Sequence, residues 1–224
     1  MAKSFVYKAA AAAPFFKAEP TEFTWFAGFS KAQKQRSIDS LHTSFLNRNE
    51  GLKVLEVSSK GKEELGNKLS AFNLELKDES GSKPVEVLFQ GSKVFKCTIG
   101  DYVEQPIAIY EMTSRQAKEE IKKYTDYDAQ YWKLLKFCFR GKDFPLEPKD
   151  YFYNWLYISA LNSNPELAKA MTAYDAFTDI EFNPEKQYNC QAIACAIYAG
   201  LTRSGQLDEA LKSPEAFLKT VYGM

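Results

Sequence analysis

Histidine is almost missing from this chain: among 224 residues, His42 is the only one. The four cysteines, Cys97, Cys138, Cys190 and Cys195, show no CxxC spacing. A zinc site is therefore not expected, and Ser–His or Cys–His catalysis is excluded unless His42 itself serves. No signal-peptide pattern accompanies the cysteines, which reads as free thiols in a reducing cytoplasm. An excess of charge is missing too. The 29 basic residues balance 29 acidic ones, so any contact with nucleic acid must come from a local patch. The alanine-rich start, MAKSFVYKAAAAAPFF, is interrupted by Lys8, and no stretch reaches the roughly 18 apolar residues of a membrane helix. It reads as a strand or an ordered extension with no membrane role. Chemistry in such a chain runs on carboxylates, lysines, amides or tyrosines.

What is present is an aromatic-rich globular pattern, 45% hydrophobic and 15% aromatic, without repeats or low-complexity linkers after residue 20. Phe23, Trp25, Phe26 and Phe29 are bulky anchors. Ser30 is a helix N-cap before Ile38, Leu41 and Phe45, which recur on one helical face. Lys31, Lys34 and Arg36 open that helix on its wet side, as a phosphate-contacting patch or a solvated face. His42 lies near the core face and reads as a structural histidine. LKVLEV, residues 52–57, alternates like a strand, Lys60 to Lys68 like a short polar helix, and SAFNLEL, residues 70–76, like another strand. Asp101 to Ile109 reads as extended. Thr113 or Ser114 caps a helix running through Lys123, with Arg115, Lys118, Lys122 and Lys123 as a basic surface. Pro145 and Pro148 lead into a helix burying Phe152, Trp155, Leu156 and Ile158. A short helix spans Asn164 to Met171, and FTDIE, residues 177–181, reads as a strand. Asn189 caps a small-residue helix, NCQAIACAIYAGL, suited to close packing, and Pro214 starts a last one. The turn Asn183–Pro184–Glu185–Lys186, between strand and helix, is a plausible anion site.

The segment 84–95, PVEVLFQGSKVF, organises the rest. Pro84 suits the first position of a helix, which puts Glu86 in its first turn. On that reading Glu86, Gln90 and Lys93 share one face, while Val85, Leu88, Phe89 and Phe95 pack inward. Gly91 within the helix implies a close approach to its backbone. Glu86 and Lys93 read either as a site or as solvated charges.

SAFNLEL followed by VEVLFQGSKVF resembles the NADAR superfamily, with its LSxF-type segment and E-x-x-F-Q-x-x-K-F-like helix. MTSRQAK and NPELAKAMTAYDAFTDIEFNPEKQYNCQAIA resemble later elements of the same family. WFAGFSKAQKQRSI and FTDIEFNP look like one branch, the NADAR antitoxins associated with DarT-type DNA ADP-ribosyltransferase toxins. The resemblance covers most of residues 22 to 205. It implies an α+β fold, a single mostly helical NADAR-like domain with a few short strands over 21–224 and an N-terminal extension at 1–20. It also implies a cytoplasmic N-glycosidase that removes ADP-ribose from guanine in DNA. No cofactor and no metal are implied. The implied partners are the ADP-ribose moiety, ADP-ribosylated DNA presented single-stranded or with the guanine flipped out, and the cognate toxin.

Carried over residue by residue, Glu86 matches the family's essential glutamate, Lys93 its motif lysine and Phe72 its LSxF aromatic, with Gln90 beside them. Asp179, Glu181, Asn183 and Asn189 are implied ribose and phosphate contacts, Asp179 or Glu181 sharing acid–base work. Breaking a ribose–nitrogen bond develops positive charge at the anomeric carbon, which Glu86 can stabilise while moving a proton. Lys93 serves either as a Schiff-base nucleophile or as an electrostatic partner. EFNPEKQYNCQ stands where the stand-alone bacterial glycosidases carry a Trp-Gly loop. Two other readings stay open: a glycosidase for a small phosphoribosylamino metabolite, and a non-catalytic ADP-ribose- or toxin-binding module.

Overall fold

The computed structural model describes residues 1–28, 30–79, 81–185 and 187–224, so Phe29, Ser80 and Lys186 lie outside the described residues. The chain is α+β, 41% helical and 22% strand. Its elements run β1 (Ala2–Ala9), β2 (Phe16–Phe23), α1 (Lys31–Leu46), β3 (Val54–Glu56), α2 (Glu64–Lys68), β4 (Glu75–Asp78), β5 (Gly81–Pro84) and α3 (Val85–Gly91). Then follow β6 (Lys93–Cys97), β7 (Val103–Glu104), a 3-10 turn (Ile107–Glu111), α4 (Ser114–Glu120), a π turn (Lys123–Tyr127), β8 (Trp132–Phe139), β9 (Lys142–Phe144) and α5 (Tyr151–Asn162). The chain closes with α6 (Pro165–Met171), β10 (Ala176–Thr178), α7 (Gln191–Arg203), α8 (Leu207–Ala210) and α9 (Pro214–Tyr222). No described helix is long and apolar enough to cross a membrane. Contacts divide the chain into two compact units, Met1–Ser70 with Asn164–Met224, and Ala71–Ser163.

The first unit is built on a four-stranded sheet in the order β2-β1-β10-β3. β1 pairs antiparallel with β2 along its whole length and with β10, while β10 runs parallel to β3. Helix α1 starts at a capping box in which Ser30 Oγ accepts the Gln33 N–H. Its apolar stripe, Ile38, Leu41 and Phe45, packs with Val6, Phe23, Val54 and Ala176. The small residues of α7 admit backbone. A Cβ on Gly200 would lie 2.4 Å from Ala10 O and 2.5 Å from Phe15 O, so the loop after β1 crosses the helix there.

The second unit holds the β4–β5 hairpin and an antiparallel sheet in the order β7-β6-β8-β9. Val87, Phe95, Ile109, Ala117 and Ile121 form one core. Phe89, Phe137, Phe144 and Phe152 form an aromatic cluster, with the Phe137–Phe152 centroids 4.8 Å apart. Tyr151, Phe152, Tyr153 and Tyr157 of α5 are thus core, while Trp155, expected to be buried, is half-buried.

Several boundaries differ from the sequence reading. SAFNLEL is not one strand: Ala71–Asn73 form a turn and β4 begins at Glu75, because the turn carbonyls are used by α3. Asp101–Ile109 holds only the two-residue β7 before the 3-10 turn. The helix expected through Lys123 ends as α4 at Glu120, and the basic run 115–123 is partly neutralised, Lys122 pairing with Glu119 at 2.8 Å and Lys123 with Glu120.

Candidate active site

Helix α3 carries its acid where a turn anchors it. The N–H groups of Val85 and Glu86 donate to Leu74 O at 2.8 Å and Ala71 O at 2.9 Å. A helix start leaves such donors unpaired, so this turn fixes where the helix begins. Ser114 Oγ, at the start of α4, donates to Phe72 O at 2.9 Å, and Lys118 Nζ lies 5.2 Å from the Phe72 ring centroid. Phe72 is therefore tied to the turn that seats Glu86.

Glu86 and Gln90 are buried, at 8% and 7% exposure, and Gln90 Nε2 donates to Glu86 Oε1 at 3.0 Å. That is the one hydrogen bond to the Glu86 carboxylate among the described residues, although such a group can accept about four. Gln90 Oε1 is buried and has no hydrogen-bond partner among the described residues. Buried polar atoms are normally paired, so two adjacent acceptors with spare capacity are suited to a ligand's donors.

Gly91 closes α3. A Cβ there would meet the Tyr110 ring at 2.8 Å, which supplies the close approach expected from the glycine. The helix ends at this point, so Lys93 does not share its face with Glu86 and Gln90. It is instead the first residue of β6. The residue is half-buried, and its ammonium lies 5.1 Å from the Phe89 ring centroid with no ion pair among the described residues. Loss of hydration brings its pKa down to about 8, against the pull of Glu86 and Asp126. Roughly a tenth of the amine is then neutral at pH 7.

The remaining candidates belong to the first unit, where β10 and the turn after it carry them. FTDIE is strand only to Thr178, since Asp179 Oδ1 accepts the Glu181 N–H at 3.0 Å and bends the chain. Burial, then the nearby Glu56 carboxylate, pushes the Asp179 pKa up to about 8, which keeps it a proton donor at neutral pH. Tyr7 of β1 lies in the same surroundings, its phenol raised by burial and by Cys190 and Asp179. Glu181 and Asn183 are exposed. Asn183 Oδ1 accepts the Glu185 N–H at 3.0 Å, and its own N–H donates to Gln187 Oε1 at 2.8 Å. Asn189 is not the cap of α7, because Cys190 occupies that position. The Asn189 Oδ1 is buried and lacks a hydrogen-bond partner among the described residues.

The sequence reading missed Glu56. This residue of β3 is 3% exposed, and its Oε1 accepts Ser58 Oγ at 2.6 Å and the Ile180 N–H at 2.9 Å. Its Oε2 accepts Thr178 Oγ1 at 2.6 Å. With that hydroxyl proton committed, the 2.8 Å contact to His42 is one in which Nε2–H donates to Thr178 Oγ1. Burial lowers the His42 pKa to about 4, which agrees with a neutral, structural histidine. The signal was a glutamate inside the apolar strand LKVLEV.

None of the curated proteins compared with the chain matches it. Residues 2–224 match the family described as the DarT1-associated NADAR antitoxin. With nearly its whole length covered by that match, the chain belongs to the DarT1-associated NADAR antitoxin family.

Proposed function

We propose that this chain is an N-glycosidase that removes ADP-ribose from guanine bases in DNA and so reverses the action of a DarT-type toxin. The observation that carries the proposal is the group at α3 and β6: a buried, under-bonded Glu86, the free acceptor of Gln90, and Lys93 with its pKa near 8. The amine of Lys93, when neutral, attacks the anomeric carbon and the carbon–nitrogen bond to the base breaks. The base nitrogen takes a proton and guanine leaves intact. Ring opening gives an imine on Lys93, water adds to its carbon, and the amine departs to leave ADP-ribose. Glu86 steadies the positive anomeric carbon and moves the protons. Gln90 Oε1 accepts from a hydroxyl of the sugar. A base worked on in this way is presented outside the stack.

The test is release of ADP-ribose from a guanine-modified single-stranded oligonucleotide. Release by the wild type, lost in Glu86→Gln and Lys93→Ala, supports the reading, as does a borohydride-trapped adduct on Lys93. No release with ADP-ribose still bound indicates a binding module. Release only from phosphoribosylamino compounds indicates a metabolic enzyme.

A further inference from the structure

The segment between β2 and α1 is strapped to the helix. Ser40 Oγ accepts the Thr24 N–H and Ser37 Oγ the Phe26 N–H, both at 2.9 Å, and Gln33 Nε2 donates to Ala27 O at 2.7 Å. Gln33, Ser37 and Ser40 are spaced i, i+4 and i+7, so one polar stripe of α1 meets successive backbone groups of an extended segment. At 3.6 residues per turn, Lys34 and Arg36 fall on opposite flanks of that stripe. Lys34 Nζ sits 4.6 Å from the Trp25 ring centroid, and the Arg36 guanidinium 3.9 Å from that of Phe26. Trp25 is 40% exposed, although Phe23 packs edge-on against it. A groove of about 520 Å³ beside the strap is lined by Phe26, Arg36, Ser40 and Thr43 among others.

The cations around this strap are left without ion pairs, as Lys17 and Lys133 are elsewhere among the described residues; what sets Lys34 and Arg36 apart is the ring beneath each. Lys31, Lys34 and Arg36 have no carboxylate partner among the described residues, whereas Lys122, Lys123 and Lys212 are each held by a glutamate. Asp39, on the same helix, is already engaged by Lys62 at 2.5 Å. The strap therefore presents rigid aromatic rings next to unneutralised cations. A base stacked on an aromatic ring gains more than an exposed cation over the same ring, so a base can displace the cation and leave it to a phosphate.

We propose that Trp25, Phe26, Lys34 and Arg36 form a docking surface for single-stranded nucleic acid, with a base on Trp25 and the two cations on the flanking phosphates. The inference rests on the DNA reading proposed above and assigns where the strand around the modified base is gripped. It also gives a chain with no net charge the local basic patch that nucleic-acid binding would need.

The experiment is fluorescence anisotropy of the full chain with a short, unmodified single-stranded oligodeoxynucleotide, titrated with salt. Trp25→Ala is expected to weaken binding about tenfold and Trp25→Phe to restore most of it. Lys34→Ala with Arg36→Ala is expected to lower the slope of log affinity against log salt by about 1.4, at about 0.7 for each phosphate no longer neutralised. Lys212→Ala leaves both quantities as in the wild type. Absence of oligonucleotide binding, affinity indifferent to Trp25, or binding of anionic vesicles in place of DNA overturns the proposal. ADP-ribose release is scored separately on the wild type. If release fails while Trp25-dependent binding holds, the glycosidase reading falls and the surface stands; release with binding indifferent to Trp25 retires the surface alone.

Discussion

Glu56 and Glu86 are both buried, at 3% and 8% exposure, and they differ in what surrounds their oxygens. Glu56 accepts from Ser58, Thr178 and the Ile180 N–H, so its acceptors are used inside the fold. Glu86 accepts from Gln90 alone among the described residues, and the free oxygen of that amide is itself unpartnered. A saturated buried carboxylate holds the chain around it in place. An unsaturated one is tolerated where something else completes it. The contrast sets a glutamate committed to the fold apart from the one we propose for the chemistry.

Stability is the first place to break that contrast. Glu56→Ala leaves two hydroxyls and an N–H without their acceptor, and is expected to cost about 3–5 kcal/mol in urea unfolding. Glu86→Ala removes an acid whose burial is poorly compensated, so its expected effect is within about 1 kcal/mol. Equal losses would dissolve the distinction.

The two regions should also answer pH in opposite senses. Asp179, beside Glu56, has its folded pKa raised to about 8. Its contribution to stability is full below its unfolded value of about 3.9 and is lost as pH rises through about 8. Asp179→Asn should flatten a decline on the order of 1–3 kcal/mol across that window. Lys93 has its folded pKa lowered to about 8. The chain therefore gains stability as pH rises from about 8 towards the unfolded value of about 10.4, and Lys93→Met should remove that gain. Unfolding free energies measured across the two windows check both signs.

Smaller effects sharpen the picture around α3. Gly91→Ala drives a methyl against the Tyr110 ring and is expected to cost about 1–3 kcal/mol, read as a lower midpoint in urea. At α1, Ser30→Ala removes one half of the capping box and should cost about 1 kcal/mol.

Much of this was legible in the sequence where the signals are local. Ser30 and Thr113 cap helices as their spacing implied, and Pro165 and Pro214 open theirs. The first turn of α3 does hold Glu86. The end of that helix was not legible, because Lys93 continues the helical spacing while its backbone pairs with β8. That pairing is long-range, and periodicity does not report it. The strand at Trp132–Phe139 was hidden for the same reason: it depends on pairing with β6 and β9. Glu56 was hidden because its partners at 178 and 180 are remote in sequence. The strap on α1 was invisible, since the spacing of Gln33, Ser37 and Ser40 does not show that the backbone of residues 24–27 lies on them.

The most direct test compares the two glutamates in one assay. ADP-ribose release from a guanine-modified oligonucleotide would be timed for Glu86→Gln and Glu56→Gln at a temperature where both are folded. The amide at 56 still accepts the Ile180 N–H and bonds to the neighbouring hydroxyls, so release should stay within about tenfold of wild type, while Glu86→Gln should lose on the order of 100-fold or more. Full activity in Glu86→Gln, or an equal loss in both, would contradict the assignment of the chemistry to helix α3.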